Sequence, residues 1–183
     1  MEAMTYVLDD RTWTKAERDA LPDDGFRYEL IDGALIVTPG PNTAHQSVVV
    51  ALIARFVALC PQHLKVMTAP YDVVLSDRDV LQPDVLIAAR AAFAHANLPA
   101  APLLAVEVPS PSTQVIDRNL KMRRYEAART PSFWLIDPEG PTLTAYELDA
   151  DGHYHLVAEV TGDDEWTATA PFPVTIRPAD LLR

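Results

Sequence analysis

Residues 103–137, LLAVEVPSPSTQVIDRNLKMRRYEAARTPSFWLID, carry two almost unbroken apolar runs separated by a segment of helical length. Leu103–Val108 is interrupted only by Glu107, and the second run is Ser132-Phe133-Trp134-Leu135-Ile136-Asp137. Strands that read as continuous rather than alternating are those covered on both faces. Pro109-Ser110-Pro111-Ser112-Thr113 ends the first strand and supplies a hydroxyl cap for a helix from about Gln114 to Ala128, which Thr130-Pro131 closes. The whole unit has the length of a right-handed crossover joining two parallel strands.

Upstream, Thr14 followed by Glu17 reads as a capping box opening a short helix, Lys15 to Ala20. Phe26–Ile31 and Ala34–Thr38 flank Asp32-Gly33, a strong local hairpin signal. Asn42 or Thr43 can cap a helix running to about Cys60, in which Val48, Val49, Leu52, Ile53, Phe56 and Val57 recur at helical spacing. Three strand-like stretches follow: Leu64–Met67, Tyr71–Leu75 and Asp84–Ala88, with Ser76–Asp79 as the turn between the last two. Downstream, Leu143–Leu148 and His153–Val160 form a second hairpin, and Phe172–Ile176 and Pro178–Leu182 add a short strand and a helical turn. This order predicts one α/β domain over 1–183, with a mixed central sheet flanked by helices and extra β-hairpins on the N- and C-terminal sides. The core is expected over about 26–138 and the C-terminal hairpin extension over 142–183.

With 183 residues, 49% of them apolar, the chain can bury a core without disulfides or a structural metal. Cys60 is the only cysteine, which excludes an intrachain disulfide and a cysteine zinc site. No apolar run reaches the length of a membrane span, and Met1–Asp10 has no basic residue, so a soluble cytoplasmic protein is expected. The net charge is −11, from 26 acidic and 15 basic residues, which excludes a nonspecific nucleic-acid coat. One window runs against that average: Arg118, Lys121, Arg123, Arg124 and Arg129 face only Glu126. A solvated helix face explains such a run as simply as a binding surface does.

Glu107, near the end of the most apolar strand, is the residue that most demands a partner. A carboxylate in that setting is costly unless paired, protonated or bound to a metal. Asp84 opens Val85-Leu86-Ile87-Ala88 in the same way. If the two strands are neighbours the carboxylates meet, and two hard oxygen donors with open positions suit Mg²⁺ or Mn²⁺. The alternative is that Glu107 pairs with an arginine while Asp84 caps a turn. Asp117, Lys121 and Tyr125 lie four apart and share one helical stripe, and the long stem of Lys121 can reach back to the strand ends. Carboxylates, a metal and an amine in one cleft are the parts needed for phosphoryl transfer to water. An ordinary exposed pair with Asp117 is the other reading of Lys121.

Several motifs occur in a fixed order: Tyr28-Glu29-Leu30-Ile31-Asp32-Gly33, His45, Gln82-Pro83-Asp84-Val85, Val106–Thr113, Asp117 with Lys121 and Tyr125, and Phe133–Pro138. In this order and spacing the chain resembles the Uma2 family of restriction-endonuclease-like proteins, within the PD-(D/E)XK nuclease superfamily. The likeness covers roughly Phe26 to Pro138, with a family-like hairpin beyond. It implies a restriction-endonuclease-like core and a divalent-metal-dependent endonuclease acting on DNA in the cytoplasm. It makes Asp84 and Glu107 the carboxylates for Mg²⁺ (or Mn²⁺) and Glu29 a further acidic member. The superfamily's lysine, two positions after the glutamate, falls here on Pro109, and the likeness implies its replacement by Lys121 from the following helix. Arg123 and Arg124 are then candidates for the nucleic-acid backbone. His45 is a candidate for a substrate or water contact, or else a histidine satisfied locally at a helix start. A homodimer is expected from the apolar C-terminal hairpin and from the geometry of cutting two strands. The alternative function is a nuclease-like fold without activity, kept as a dimeric binding or regulatory module.

Overall fold

The computed structural model describes residues 6–7, 11–38, 40–110 and 116–183. The helix start at Gln114, the hydroxyl cap before it and the side chain of Asp117 lie outside the described residues.

Two six-stranded sheets form the framework. The first contains β1 (Tyr6–Val7), β2 (Arg27–Ile31), β3 (Ala34–Thr38), β5 (Asp72–Val74), β6 (Val80–Leu81) and β8 (Asn97–Leu98), in the order β1-β3-β2-β6-β5-β8. The second contains β4 (Leu64–Thr68), β7 (Val85–Ala89), β9 (Leu104–Glu107), β10 (Ser132–Asp137), β11 (Thr142–Leu148) and β12 (Tyr154–Thr161), in the order β12-β11-β10-β9-β7-β4. A small ribbon joins β13 (Trp166–Ala168) to β14 (Val174–Ile176). The helices are α1 (Lys15–Asp19), α2 (Thr43–Leu59) and α3 (Met122–Ala127), with 3-10 turns at Arg90–Ala92 and Pro178–Leu182. Among the described residues no helix is long and apolar enough to cross a membrane.

The crossover expected from residues 103–137 is present: β9 and β10 pair in parallel, Leu104 opposite Ser132 and Glu107 opposite Leu135. The other pairings of that sheet are antiparallel, so it is mixed. Beside this mixed central sheet, the N-terminal hairpin belongs to a second six-stranded sheet. The β2–β3 hairpin turns through Asp32 (φ 55°) and Gly33 (φ 78°), where left-handed backbone favours glycine. It pairs with β6, a two-residue strand, rather than with the crossover strands. The reason is that β9 already has β7 and β10 on its two edges.

Each crossover strand serves two cores by the period-two rule. Leu104, Val106, Trp134 and Ile136 pack with Val48, Leu52 and Phe56 of α2 and with Val174 and Ile176 of the C-terminal ribbon. Ala105, Phe133 and Leu135 face the other way and pack with Ile31, Ile36, Leu81 and Tyr125. Burying each large apolar side chain contributes about 1.5–3 kcal/mol, so the crossover strands stabilise both interfaces at once. That second interface, between the two sheets and α3, ends at the polar cluster described next.

Candidate active site

Val85 opposes Val106 in the antiparallel β7–β9 pair, so one step outward brings Asp84 and Glu107 to the same sheet end. Alternation puts Glu107 on the face of Ala105, and Asp84 on the face of Leu86. Both therefore point into the seam between the two sheets. From the other side, β2 contributes Arg27 and Glu29, two residues apart and on the face of Ile31. The chain before α3 is a π-helix, Ile116–Lys121, where a regular α-helix was expected. Such wide turns are frequent at functional sites. Lys121 and Tyr125 reach the seam from there.

Lys121 bridges two carboxylates: its Nζ lies 3.0 Å from Glu29 Oε1 and 3.1 Å from Glu107 Oε2. It is 4% exposed, and both glutamates are 1% exposed. Glu29 Oε1 also accepts from the Gln82 backbone N–H at 2.7 Å. The Tyr125 hydroxyl donates to Glu107 Oε1 over a long 3.4 Å. Asp84 is held on both oxygens. Its Oδ2 accepts from the Val108 backbone N–H at 2.8 Å, and Oδ1 lies 3.2 Å from an Arg27 terminal nitrogen and 3.3 Å from His45 Nε2. The Asp84 carbonyl in turn accepts from the Thr68 hydroxyl at 2.8 Å, which ties the strand end to β4. His45 is placed by α2, whose N-cap Asn42 accepts from the His45 N–H at 2.9 Å.

The electrostatics follow from burial and pairing. Burial pushes the Asp84 carboxyl up, but the His45 hydrogen bond and the charges of Arg27 and Lys121 outweigh it and hold the group well below the usual carboxylate range. Burial works against the Arg27 charge, and Glu29, Asp84 and Glu107 more than restore it. The Tyr125 hydroxyl is raised well above its ordinary value, first by burial and then by Glu107 and Glu29, so it stays a donor. The cluster thus sets three carboxylates, Glu29, Asp84 and Glu107, against Arg27, Lys121 and the His45 ring.

The donor set fits a hard divalent cation. Among the described residues no three acidic, imidazole or thiol groups converge as a ready-made cage. Mg²⁺ does not need one: it binds through one or two carboxylates, keeps several waters and takes up substrate phosphate. Asp84 and Glu107, brought to the same sheet end, are two carboxylates that would suit it. Beside them a cavity of about 140 Å³ is lined by Asn42, His45, Pro109, Ser110, Asp137, Pro138 and Glu139. His45 thus belongs both to this cavity and to the contacts of Asp84.

Of the residues singled out in the sequence, Asp84, Glu107, Glu29, Lys121 and His45 come together. The alternative raised for the carboxylates holds only in that both are ion-paired: Glu107 meets Lys121 rather than an arginine, and Asp84 meets Arg27 rather than capping a turn. Arg123 and Arg124 are not part of the cluster. Arg123 is exposed, and Arg124 lies 3.4 Å from Asp32 and 4.0 Å from Asp79. Sequence reasoning missed Arg27 and the backbone role of Gln82. The spacing of Arg27 to Glu29, alternate positions on one strand, could have exposed the first.

No curated protein matches the chain. Its fold is similar to a crystal structure described as "a putative nuclease belonging to DUF820 from Anabaena variabilis ATCC 29413", with a TM-score of 0.71 and 19% identity over 92% of this chain and 97% of that one. At that identity the likeness concerns the fold. The sequence model of Uma2, described as "Putative restriction endonuclease", matches residues 16–181, and the chain therefore belongs to the Uma2 family.

Proposed function

We propose that the protein is a divalent-metal-dependent endonuclease that hydrolyses DNA phosphodiester bonds at the Asp84–Glu107 cluster. The observation that carries this reading is Lys121, buried between Glu29 and Glu107 at hydrogen-bond distance. The buried amine serves the fold as an ion-pair partner, and in a hydrolase it serves a second need, a cation beside the reacting phosphate. Asp84 and Glu107 are the residues that would hold Mg²⁺ or Mn²⁺. When bound, the ion supplies Lewis-acid charge and an activated water.

The other roles belong to the chain's own side chains. Lys121 donates from Nζ, orienting the attacking water or neutralising charge that grows on the phosphoryl oxygens. Glu29 fixes that amine from the opposite sheet and is itself fixed by the Gln82 N–H. Tyr125 and His45 act as positioning residues, setting the orientation of Glu107 and Asp84. His45 also borders the cavity through which a phosphodiester would approach.

The test is cleavage of a plasmid and of an end-labelled duplex with Mg²⁺ or Mn²⁺. Wild-type protein is expected to cut, to stop on chelation, and to lose at least about 10²-fold in rate as Glu107→Gln. Duplex binding with Ca²⁺ but no cleavage with any divalent ion would refute the enzyme reading and favour the binding module.

A further inference from the structure

Arg27 meets the cluster with only part of its guanidinium fork. One terminal nitrogen donates to the Gln82 carbonyl at 2.6 Å and the other meets Asp84 Oδ1 at 3.2 Å. Its Nε is buried with no hydrogen-bond partner among the described residues. A guanidinium has five donors in a fixed fork, and a carboxylate bound for stability is usually gripped by two of them in parallel. The same protein shows that form elsewhere: Arg18 grips Asp72 through both terminal nitrogens at 2.6 and 2.7 Å. Arg27 holds Asp84 through a single longer contact and leaves part of its fork unspent. It is also the more open of the two cluster cations, with 18% of its side chain exposed against 4% for Lys121.

Arg27 sits on an oxygen of Asp84, one of the two carboxylates that would hold a divalent ion. The ion and Arg27 compete for Asp84, and a displaced guanidinium is the group whose planar fork matches a phosphate.

We propose that Arg27 is a substrate-phosphate ligand held in reserve on Asp84, released toward the phosphodiester when a divalent ion takes Asp84 Oδ1. This rests on the metal-dependent nuclease reading. It makes metal and DNA cooperate: the ion frees the guanidinium, and the phosphate keeps it from returning to compete with the ion. Linkage then requires each ligand to tighten the other to the same degree.

The experiment uses the full chain as wild type, Arg27→Met and Arg27→Gln, each checked for folding by circular dichroism. Calorimetry titrates Mn²⁺ without DNA, and anisotropy follows a labelled duplex with Ca²⁺ as a non-catalytic ion. Removing the competing charge is expected to tighten Mn²⁺ by about tenfold or more. The same variants should bind the duplex about tenfold more weakly, a typical coupling magnitude. The diagnostic is the coupling: Ca²⁺ tightens duplex binding in wild type by more than in either variant, whereas a fixed cation leaves that ratio unchanged. Variants that bind Mn²⁺ no more tightly, or duplex no less tightly, overturn the inference while leaving the nuclease reading intact. Wild type that binds neither ligand overturns both. Failure of both variants to fold makes Arg27 a structural clamp and also overturns it.

Discussion

Lys121→Met removes the amine that joins Glu29 to Glu107 while keeping most of the stem that fills its channel. The consequence for stability can be worked from the structure. Lys121 is 4% exposed and lies 3.0 and 3.1 Å from its two partners, so the substitution leaves two buried carboxylates without their cation. Breaking a buried ion pair by deleting one partner costs about 3–5 kcal/mol. For a chain of this size each kcal/mol lowers Tm by about 2–4 °C, giving a fall of about 6–20 °C. A sequence view that sets Lys121 on an exposed helix face expects almost no change. A divalent ion held by Asp84 and Glu107 in the variant returns positive charge beside Glu107, so Mn²⁺ should recover part of the lost Tm while activity remains down by about 10²–10³. The assay is differential scanning fluorimetry with chelator and with Mn²⁺, beside single-turnover cleavage of a labelled duplex. A Tm within about 2 °C of wild type in chelator would refute the burial argument. Full activity in a folded variant would refute the role of the amine.

Two further outcomes follow from the same geometry. Asp84 has a depressed carboxyl pKa, so its contribution to stability is fully present above the unfolded value of about 3.9 and is lost as pH falls through the folded value. In metal-free protein the Tm gap between wild type and Asp84→Asn should be widest above about pH 5 and narrow on acidification; a constant gap would contradict the shift. Because Arg124 is engaged by Asp32 and Asp79 while Arg123 is exposed, Arg123→Ala/Arg124→Ala should lower the log–log salt slope of duplex binding by about 0.9, one phosphate contact. A drop of about 1.8 would restore both arginines to the backbone contact, and no drop would remove both.

The parts of this protein that could be read from its sequence are those with long, unambiguous patterns. The apolar runs around Val106 and Trp134 could only be strands covered on both faces, and the segment between them could only cross over. Asp32-Gly33 and the seventeen-residue α2 were equally plain. The partition into two sheets was not, because it depends on β6 and β8, strands of two residues with no periodicity to detect. The π-turn at Ile116–Lys121 leaves no mark in spacing either. At the site, Asp84 and Glu107 stood out as carboxylates that an apolar strand must explain. Arg27 did not, because β2 is partly exposed there and an arginine at such a position raises no question until its partner is known. Arg124 shows the converse: a basic run suggests a polyanion, and only tertiary structure reveals Asp32 and Asp79 beside it.

The most direct test is a crystal of the protein soaked in Mn²⁺, with anomalous diffraction recorded at the manganese edge. An anomalous peak in contact with both Asp84 and Glu107, absent from a Glu107→Gln crystal, is the result predicted here. An empty cluster at saturating Mn²⁺, with Lys121 still bridging Glu29 and Glu107 and Arg27 still on Asp84, would contradict a metal-dependent site.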